Sequence, residues 1–443
     1  MPTIIDNKLK VAVIGLGYVG LPLLCKFWAA GLSVLGLDNN PAKIESLQRG
    51  QSPIEDVSHQ ALQDMLASSR CVLSHQSEIL AQADAIFICV PTPLSASREP
   101  DLSYILSAVE QLIPHLRTGQ LVVLESTTYP GTTEELIVPL IEAAGFVPGV
   151  EVALAFSPER IDPGNRHFPV GQIPKVVGGL TPQCTEKACA VYHHVGIATH
   201  GVSSPRVAEA AKILENTFRS VNIALVNEFA QICHTLDLNV WEVIEAADTK
   251  PFGFMRFNPG PGIGGHCIPL DPHYLMWKTR FQGFEPRFIS LADQVNREMP
   301  HYIVQRSLDI LNDQKKALNG SRVLLVGVAY KPNISDARET PALYLWPLLE
   351  GKGAAVFYHD PHVPDFEVPG PTQHVRHQSQ PLSPAHLQAA AYDLMIILTP
   401  HDSLDYEALA HGTCPVFDTR NILEHKLPEL RHHETFQQRV VTL

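Results

Sequence analysis

Short runs of β-branched and aliphatic residues alternate with longer segments of helical period through the first half of the chain. The apolar runs fall at residues 11–14, 33–38, 85–90, 121–125 and 152–156, a spacing that predicts an α/β fold with a parallel sheet covered by helices on both faces. From Ser203 the pattern changes. Ser204 is a capping residue type, Pro205 suits the first helical position, and no glycine or proline follows until after residue 238. Val207, Ala211, Leu214, Phe218, Val221, Leu225 and Phe229 recur at steps of three or four, which predicts one long amphipathic helix. At ~1.5 Å per residue it spans roughly 50 Å. One small domain cannot cover that length, so the helix is expected to run between domains and to bury part of its stripe against a second copy of the chain.

After Asn319-Gly320 a second alternating block echoes the first, with 323–327 matching 11–15, 355–360 matching 34–38, and 394–400 matching 86–91. The expectation is two Rossmann-like, doubly wound domains joined by the central helix, divided at 1–200, 201–315 and 316–443. In the second block Gly327-Val328-Ala329-Tyr330 lacks the third glycine of a dinucleotide fingerprint, which leaves room for a different nucleotide. Residues 362–383, rich in Pro, Gln and His, read as a long surface loop.

Composition narrows the function. The length of 443 residues exceeds the ~250 to 300 at which a single core stops growing, so several domains are required. A formal charge of −13 argues against nucleic acid as the main partner. Residues 1–10 lack a signal-peptide core, and no apolar run approaches the ~18 residues of a membrane span, so a cytoplasmic protein without membrane contact is expected. The eight cysteines form no C-x-x-C pair, and Cys25, Cys89 and Cys233 sit in apolar stretches as small hydrophobes. His193-His194 and His432-His433 are adjacent rather than four apart, so no metal site is expected.

Gly15-Leu16-Gly17-Tyr18-Val19-Gly20 follows a strand and opens a helix. Gly15 suits a tight turn, Gly17 a close approach of backbone to pyrophosphate, and Gly20 close packing of helix on sheet. The helix N-terminus then favours phosphate. Asp38 ends the next strand, where a carboxylate accepts from a ribose 2′-hydroxyl and repels a 2′-phosphate, which favours NAD over NADP. Tyr18 and Val19 lie in the same turn, Lys43 follows Asp38 by five residues, and Thr92 ends a later strand at the same sheet edge; all four are assigned to the cofactor site.

In the segment Pro259-Gly260-Pro261-Gly262-Ile263-Gly264-Gly265-His266-Cys267-Ile268-Pro269-Leu270-Asp271, glycines crowd a cysteine just before a helix start, a place that lowers a thiol pKa. Spacing alone fits a structural cysteine in a turn equally well. Phe156-Ser157-Pro158-Glu159-Arg160, Ser126-Thr127, Lys212 and Asn216 on the long helix, Tyr330-Lys331-Pro332 and Asp336-Ala337-Arg338 accompany it. With these motifs, in this order, the chain resembles the UDP-glucose/GDP-mannose dehydrogenase family nearly from end to end.

That resemblance implies oxidation of a sugar C6 alcohol to a carboxylate with two NAD⁺. Cys267 is then the nucleophile that adds to the intermediate aldehyde and carries a thioester. Lys212 and Asn216, one helical turn apart, stabilise the oxyanion, while Asp271, Glu159 and Thr127 position or deprotonate water. Phe156, Glu159, Arg160, Lys212, Asn216, Gly264 and Lys331 are implied substrate contacts, and Thr127 and Arg338 contacts to NAD. Many UDP-glucose enzymes of the family carry a second glutamate four residues after the counterpart of Glu159, where this chain has Pro163. Residues 156–165 and 259–274 are most similar to the branch acting on UDP-N-acetylhexosamines, especially UDP-N-acetylglucosamine. The alternatives are the same chemistry on UDP-glucose, UDP-N-acetylmannosamine or GDP-mannose, and a silent nucleotide-binding regulator. The presence of Cys267, Lys212, Asn216 and Asp271 together argues against the last.

Overall fold

Inner strands buried on both faces form the middle of the first sheet of the computed structural model, which describes residues 9–54, 57–95, 98–160, 173–370, 373–412 and 414–443. The extreme N-terminus and Pro163 lie outside the described residues. By contacts the chain divides into two units, Met1–Glu215 with Leu270–Glu285, and Asn216–Pro269 with Pro286–Leu443.

The strands of the first unit are β1 (Lys10–Ile14), β2 (Ser33–Leu37), β3 (Cys71–Ser74), β4 (Ala85–Ile88), β5 (Leu121–Leu124), β6 (Ala153–Phe156), β7 (Lys175–Gly179) and β8 (Thr199–Val202), ordered β3-β2-β1-β4-β5-β6-β7-β8. Alternate residues of β1 feed opposite cores. Val11 and Val13 join Leu24, Phe27 and Tyr192, while Ala12 and Ile14 join Ile105, Leu112 and Ile141. At ~1.5 to 3 kcal/mol for each large aliphatic side chain removed from water, these two layers hold the sheet between its helices. The sheet is not wholly parallel as the alternation predicts. β7 runs antiparallel to β6, with Ala155 opposite Gly179 and Phe156 opposite Gly178.

The second unit carries β9 (Arg322–Val326), β10 (Ala355–His359), β13 (Leu394–Ile397), β14 (Val416–Asp418) and β15 (Val440–Thr442), all parallel in the order β10-β9-β13-β14-β15. The segment expected to be a long loop instead contains an antiparallel pair, β11 (Asp365–Pro369) with β12 (His374–Gln378). Phe366 and Val368 alternate inward from β11 onto the core containing Trp346 and Tyr358, which gives the pair a buried face.

The long helix spans Pro205–Thr235, 31 residues or roughly 46 Å. Ser204 Oγ accepts from Val207 N at 3.4 Å, and Asp237 in the left-handed region (φ 55°) ends the turn beyond the helix. Its buried side chains are not those of the predicted stripe. Ala208, Ile213, Val226, Ala230 and Cys233 face the chain's own cores, whereas Leu214 is 66% exposed, Leu225 59% and Phe218 46%. The helix therefore has two apolar faces, and the stripe read from sequence is the one this chain leaves uncovered. Among the described residues no helix is long and apolar enough to cross a membrane.

Candidate active site

At the dinucleotide end of the first unit, Gly15 adopts φ +91°, and a Cβ there would sit 2.7 Å from the carbonyl oxygen of Cys89. A Cβ on Gly20 would lie 1.9 Å from the carbonyl oxygen of Gly15, so neither position admits a side chain. A Cβ on Gly17 meets nothing within 4 Å, so the backbone there borders open space, as a pyrophosphate requires. Asp38 is buried, with Oδ2 accepting from Leu16 N at 3.0 Å and Lys43 Nζ at 2.8 Å, and Oδ1 accepting from Asn40 N at 3.1 Å. Lys43 thus reaches the site through Asp38. Tyr18 is exposed and Val19 half-buried beside it. These residues fit a nicotinamide dinucleotide.

Further along the same edge, the carbonyl of Thr92 accepts from Tyr274 Oη, and Ser126 Oγ donates to the carbonyl of Val90 at 2.7 Å. This bonding holds the turn after β4 beside half-buried Thr127. Phe156 is fully buried at the end of β6. Arg160 pairs with Glu215 at 2.7 Å, and Glu159 with Lys175 at 3.1 Å. Lys175, nearly inaccessible, also pairs with buried Glu125 at 2.8 Å, and Glu125 accepts from Tyr192 Oη. Burial pushes the Glu125 carboxyl above the usual range although Lys175 opposes it. Burial likewise works against the Lys175 ammonium, but Glu125 and Glu159 together outweigh it and hold the group above an ordinary lysine.

Lys212 and Asn216 are both buried on the long helix, which removes the alternative of a solvated polar stripe. Asp271 is the buried first residue of the helix Asp271–Arg280, within the first unit. That helix docks through Tyr274, buried with Tyr129 and Ile213, and through Lys278, which pairs with Glu135.

In the second unit the glycine segment is pinned at its start and crowded at its end. Gly260 N donates to Asn227 Oδ1 at 2.9 Å, Asn227 Nδ2 to Asn296 Oδ1 at 2.9 Å, and Asn296 Nδ2 to the carbonyl of Ser220 at 3.1 Å. Gly265 takes φ +86°, and a Cβ there would come within 2.8 Å of the Tyr330 ring, while one on Gly264 would lie 2.9 Å from Tyr330 Cβ. The loop thus lies directly against the segment containing Lys331, with Cys267 exposed just beyond it. His266 sits 3.9 Å from Asp336, which pairs with the exposed Arg338 at 2.7 Å. Burial and Arg338 lower the His266 imidazole pKa, which favours its neutral form.

Sequence reasoning passed over three features. The Asn227–Asn296 relay shows only as amides within apolar helices. Lys175 and Glu125 look like ordinary strand-end charges until both are buried. Arg420, half-buried after β14, donates from Nε to the carbonyl of Leu398 at 2.8 Å and packs on Gly260, whose Cβ would sit 2.3 Å from its Nη1. Among the described residues no carboxylate side chain pairs with its guanidinium, an arrangement suited to an anionic ligand. No group of three or more potential metal ligands occurs among the described residues.

The chain is similar to known proteins. Models of the UDP-glucose/GDP-mannose dehydrogenase family match residues 9–196 (NAD binding domain), 206–298 (central domain) and 324–425 (UDP binding domain). The UDP-N-acetyl-D-glucosamine 6-dehydrogenase of Pseudomonas aeruginosa is 34% identical over 433 residues, covering 96% of this chain and 100% of that protein. The UDP-N-acetyl-D-mannosamine dehydrogenase of Methanococcus maripaludis is also 34% identical, covering 94% of each. Among solved structures, the UDP-D-ManNAc dehydrogenase from Pyrococcus horikoshii is 30% identical with a TM-score of 0.83, covering 94% of this chain and 96% of that one.

Proposed function

The chain belongs to the UDP-glucose/GDP-mannose dehydrogenase family and is an NAD-dependent nucleotide-sugar dehydrogenase, and we propose that its substrate is a UDP-N-acetylhexosamine, first UDP-N-acetylglucosamine, oxidised at C6 to the uronic acid. Exposed Cys267, at the end of a glycine loop packed against Tyr330, carries this reading. Bound NAD⁺ supplies the hydride acceptor for each of the two oxidations. The Cys267 thiolate adds to the C6 aldehyde, forming a C–S bond and an alkoxide, and Lys212 and Asn216 stabilise that charge. After the second oxidation, water attacks the thioester carbonyl. Its proton passes to a carboxylate, Glu159 or Asp271, with Thr127 aligning the water, and the C–S bond breaks to return the thiolate.

Arg420 and Lys331 hold the anionic nucleotide, Phe156, Arg160 and Gly264 line the sugar, and Arg338 serves NAD. In this reading residues 1–200 serve NAD, 201–315 the dimer and the cysteine loop, and 316–443 the nucleotide sugar. The enzyme acts in the cytoplasm as a homodimer or an assembly of dimers, and its product feeds surface-polysaccharide synthesis. UDP-N-acetylmannosamine is the second candidate, favoured by the Methanococcus maripaludis relative at equal identity and by the Pyrococcus horikoshii structure at 30%. The test is kcat/KM on UDP-N-acetylglucosamine, UDP-N-acetylmannosamine, UDP-glucose and GDP-mannose, with NADH counted per sugar consumed. Two NADH and highest efficiency on UDP-N-acetylglucosamine are expected. Highest efficiency on the mannosamine selects the second candidate, and one NADH per sugar refutes the four-electron chemistry.

A further inference from the structure

Strand direction sets up a contact at the substrate end of the first unit. In a sheet parallel throughout, the first residue of β7 would lie at the edge remote from the ligand. Because β7 is antiparallel to β6, its first residue, Lys175, lies at the carboxyl edge instead. Ala155 faces Gly179 and Phe156 faces Gly178, and the same register carried three residues past the end of β6 sets Lys175 opposite Glu159. The side chains meet there, Lys175 Nζ to Glu159 Oε2 at 3.1 Å.

The second contact of this lysine ties it to another site-bearing turn. Nζ lies 2.8 Å from Oε2 of Glu125, which directly follows β5 and stands two residues before Thr127. Tyr192 Oη donates to the other oxygen of Glu125, and the ammonium lies 5.3 Å from the Tyr192 ring centroid. One inaccessible cation therefore bridges the two turns that carry Thr127 and Glu159.

We propose that Lys175 is a positioning residue for hydrolysis of the thioester, holding Glu159 anionic and in place while Glu125 and Tyr192 fix the ammonium. This rests on the reading above that Glu159 acts on the attacking water. A carboxylate must be ionised to orient water or take its proton, and a cation at 3.1 Å favours the ionised form. The charged and titratable groups around the pair are Glu125 after β5, Tyr192 on the helix Pro182–His194, Cys89 after β4, and Lys26 on the helix Gly20–Ala29. Lys175 remains protonated throughout the neutral range, because its two carboxylates outweigh the burial that opposes its charge. It therefore orients and does not relay protons.

The test separates the oxidations from hydrolysis. Lys175→Met, purified as the full chain and mixed with NAD and UDP-N-acetylglucosamine, should still release NADH in its first turnover but accumulate a sugar-nucleotide adduct on Cys267, seen in the intact-protein mass. Steady-state kcat should fall ~10-fold or more, and the acidic limb of its pH profile should move upward by about one unit, because loss of the cation lets Glu159 take a proton at higher pH. Lys175→Arg, which keeps the charge, should abolish the accumulation. No adduct and an unshifted limb in folded Lys175→Met, while Glu159→Gln accumulates the adduct, overturns the proposal and spares the reading of Glu159. No adduct and unchanged kcat in Glu159→Gln overturns both. If Lys175→Met does not fold, Glu125→Gln leaves the ammonium wholly to Glu159 and should move the limb downward; an upward or absent shift overturns the proposal.

Discussion

Replacing Asp38 by asparagine tests the cofactor site with little change of shape. Asparagine keeps an oxygen for Leu16 N, which Asp38 Oδ2 now holds at 3.0 Å, but removes the charge that attracts Lys43 at 2.8 Å. A hydrogen bond from a ribose hydroxyl to a charged acceptor contributes ~1.5 to 3 kcal/mol, so its weakening should lower kcat/KM for NAD by roughly tenfold. For NADP the carboxylate and a 2′-phosphate at ~4 Å would repel by ~4 kcal/mol at an effective dielectric constant of ~20. Lys43, with its side chain 32% exposed, already neutralises part of that charge, and water screens more, so the realised repulsion is nearer ~1 to 2 kcal/mol. Asp38→Asn removes this term and releases Lys43 toward a phosphate, giving NADP roughly tenfold. Together the NAD/NADP ratio of kcat/KM should fall by ~100-fold. The assay is initial-rate NADH or NADPH formation at saturating nucleotide sugar and fixed ionic strength. A folded variant whose ratio stays within about twofold of the wild type would show that Asp38 is not the ribose partner.

Cys267→Ala should form no acid and Cys267→Ser at most the aldehyde, because a serine hydroxyl without an adjacent base is a poor nucleophile; wild-type uronate formation by either variant, followed by chromatography, refutes the covalent route. Light scattering should report a dimer of the 48.8 kDa chain or a multiple of it, and Leu225→Arg, on the uncovered face of the long helix, should shift the mass toward one chain. A fully active wild-type monomer at assay dilution would show that this face needs no partner.

The dinucleotide turn, the acid after β2 and the long helix were legible because each follows from local backbone rules. Gly15 must take a positive φ, and no helix breaker occurs from Arg206 to Thr235. Strand direction was not legible. The run Lys175–Gly179 is apolar in either direction, and only its pairing to β6 turns it round. β11 and β12 escaped notice because Phe366 and Val368 are two apolar positions in a segment otherwise rich in Pro, His and Gln. The long helix was read as one stripe because periodicity detects any apolar face, whether its cover is the same chain or a second one.

The two Rossmann-like units show how one backbone turn can be kept while its ligand site is closed. Gly327 N donates to the carbonyl of His359 as Gly15 N donates to that of Leu37, and a Cβ on Gly327 would lie 2.1 Å from the carbonyl oxygen of Thr399. Asp360 follows β10 as Asp38 follows β2. Yet Asp360 Oδ2 takes the N–H groups of Val328 and Ala329, at 2.7 and 2.9 Å, and lies 3.0 Å from His401 Nε2. Its Oδ1 takes the N–H groups of His362 and Val363. Asn333 N donates to His401 Nδ1 at 2.9 Å, so the imidazole proton belongs on Nε2 and points at the carboxylate. Five donors fill an acceptor with about four lone-pair sites, and the turn N–H groups that would meet a pyrophosphate are already bonded. In the first unit Leu16 N bonds to Asp38 Oδ2, and Gly17 borders open space. A nucleotide at the second unit must therefore be recognised by side chains beyond the turn, and the Tyr330–Arg338 segment and Arg420 are the groups that the glycine loop before Cys267 packs against.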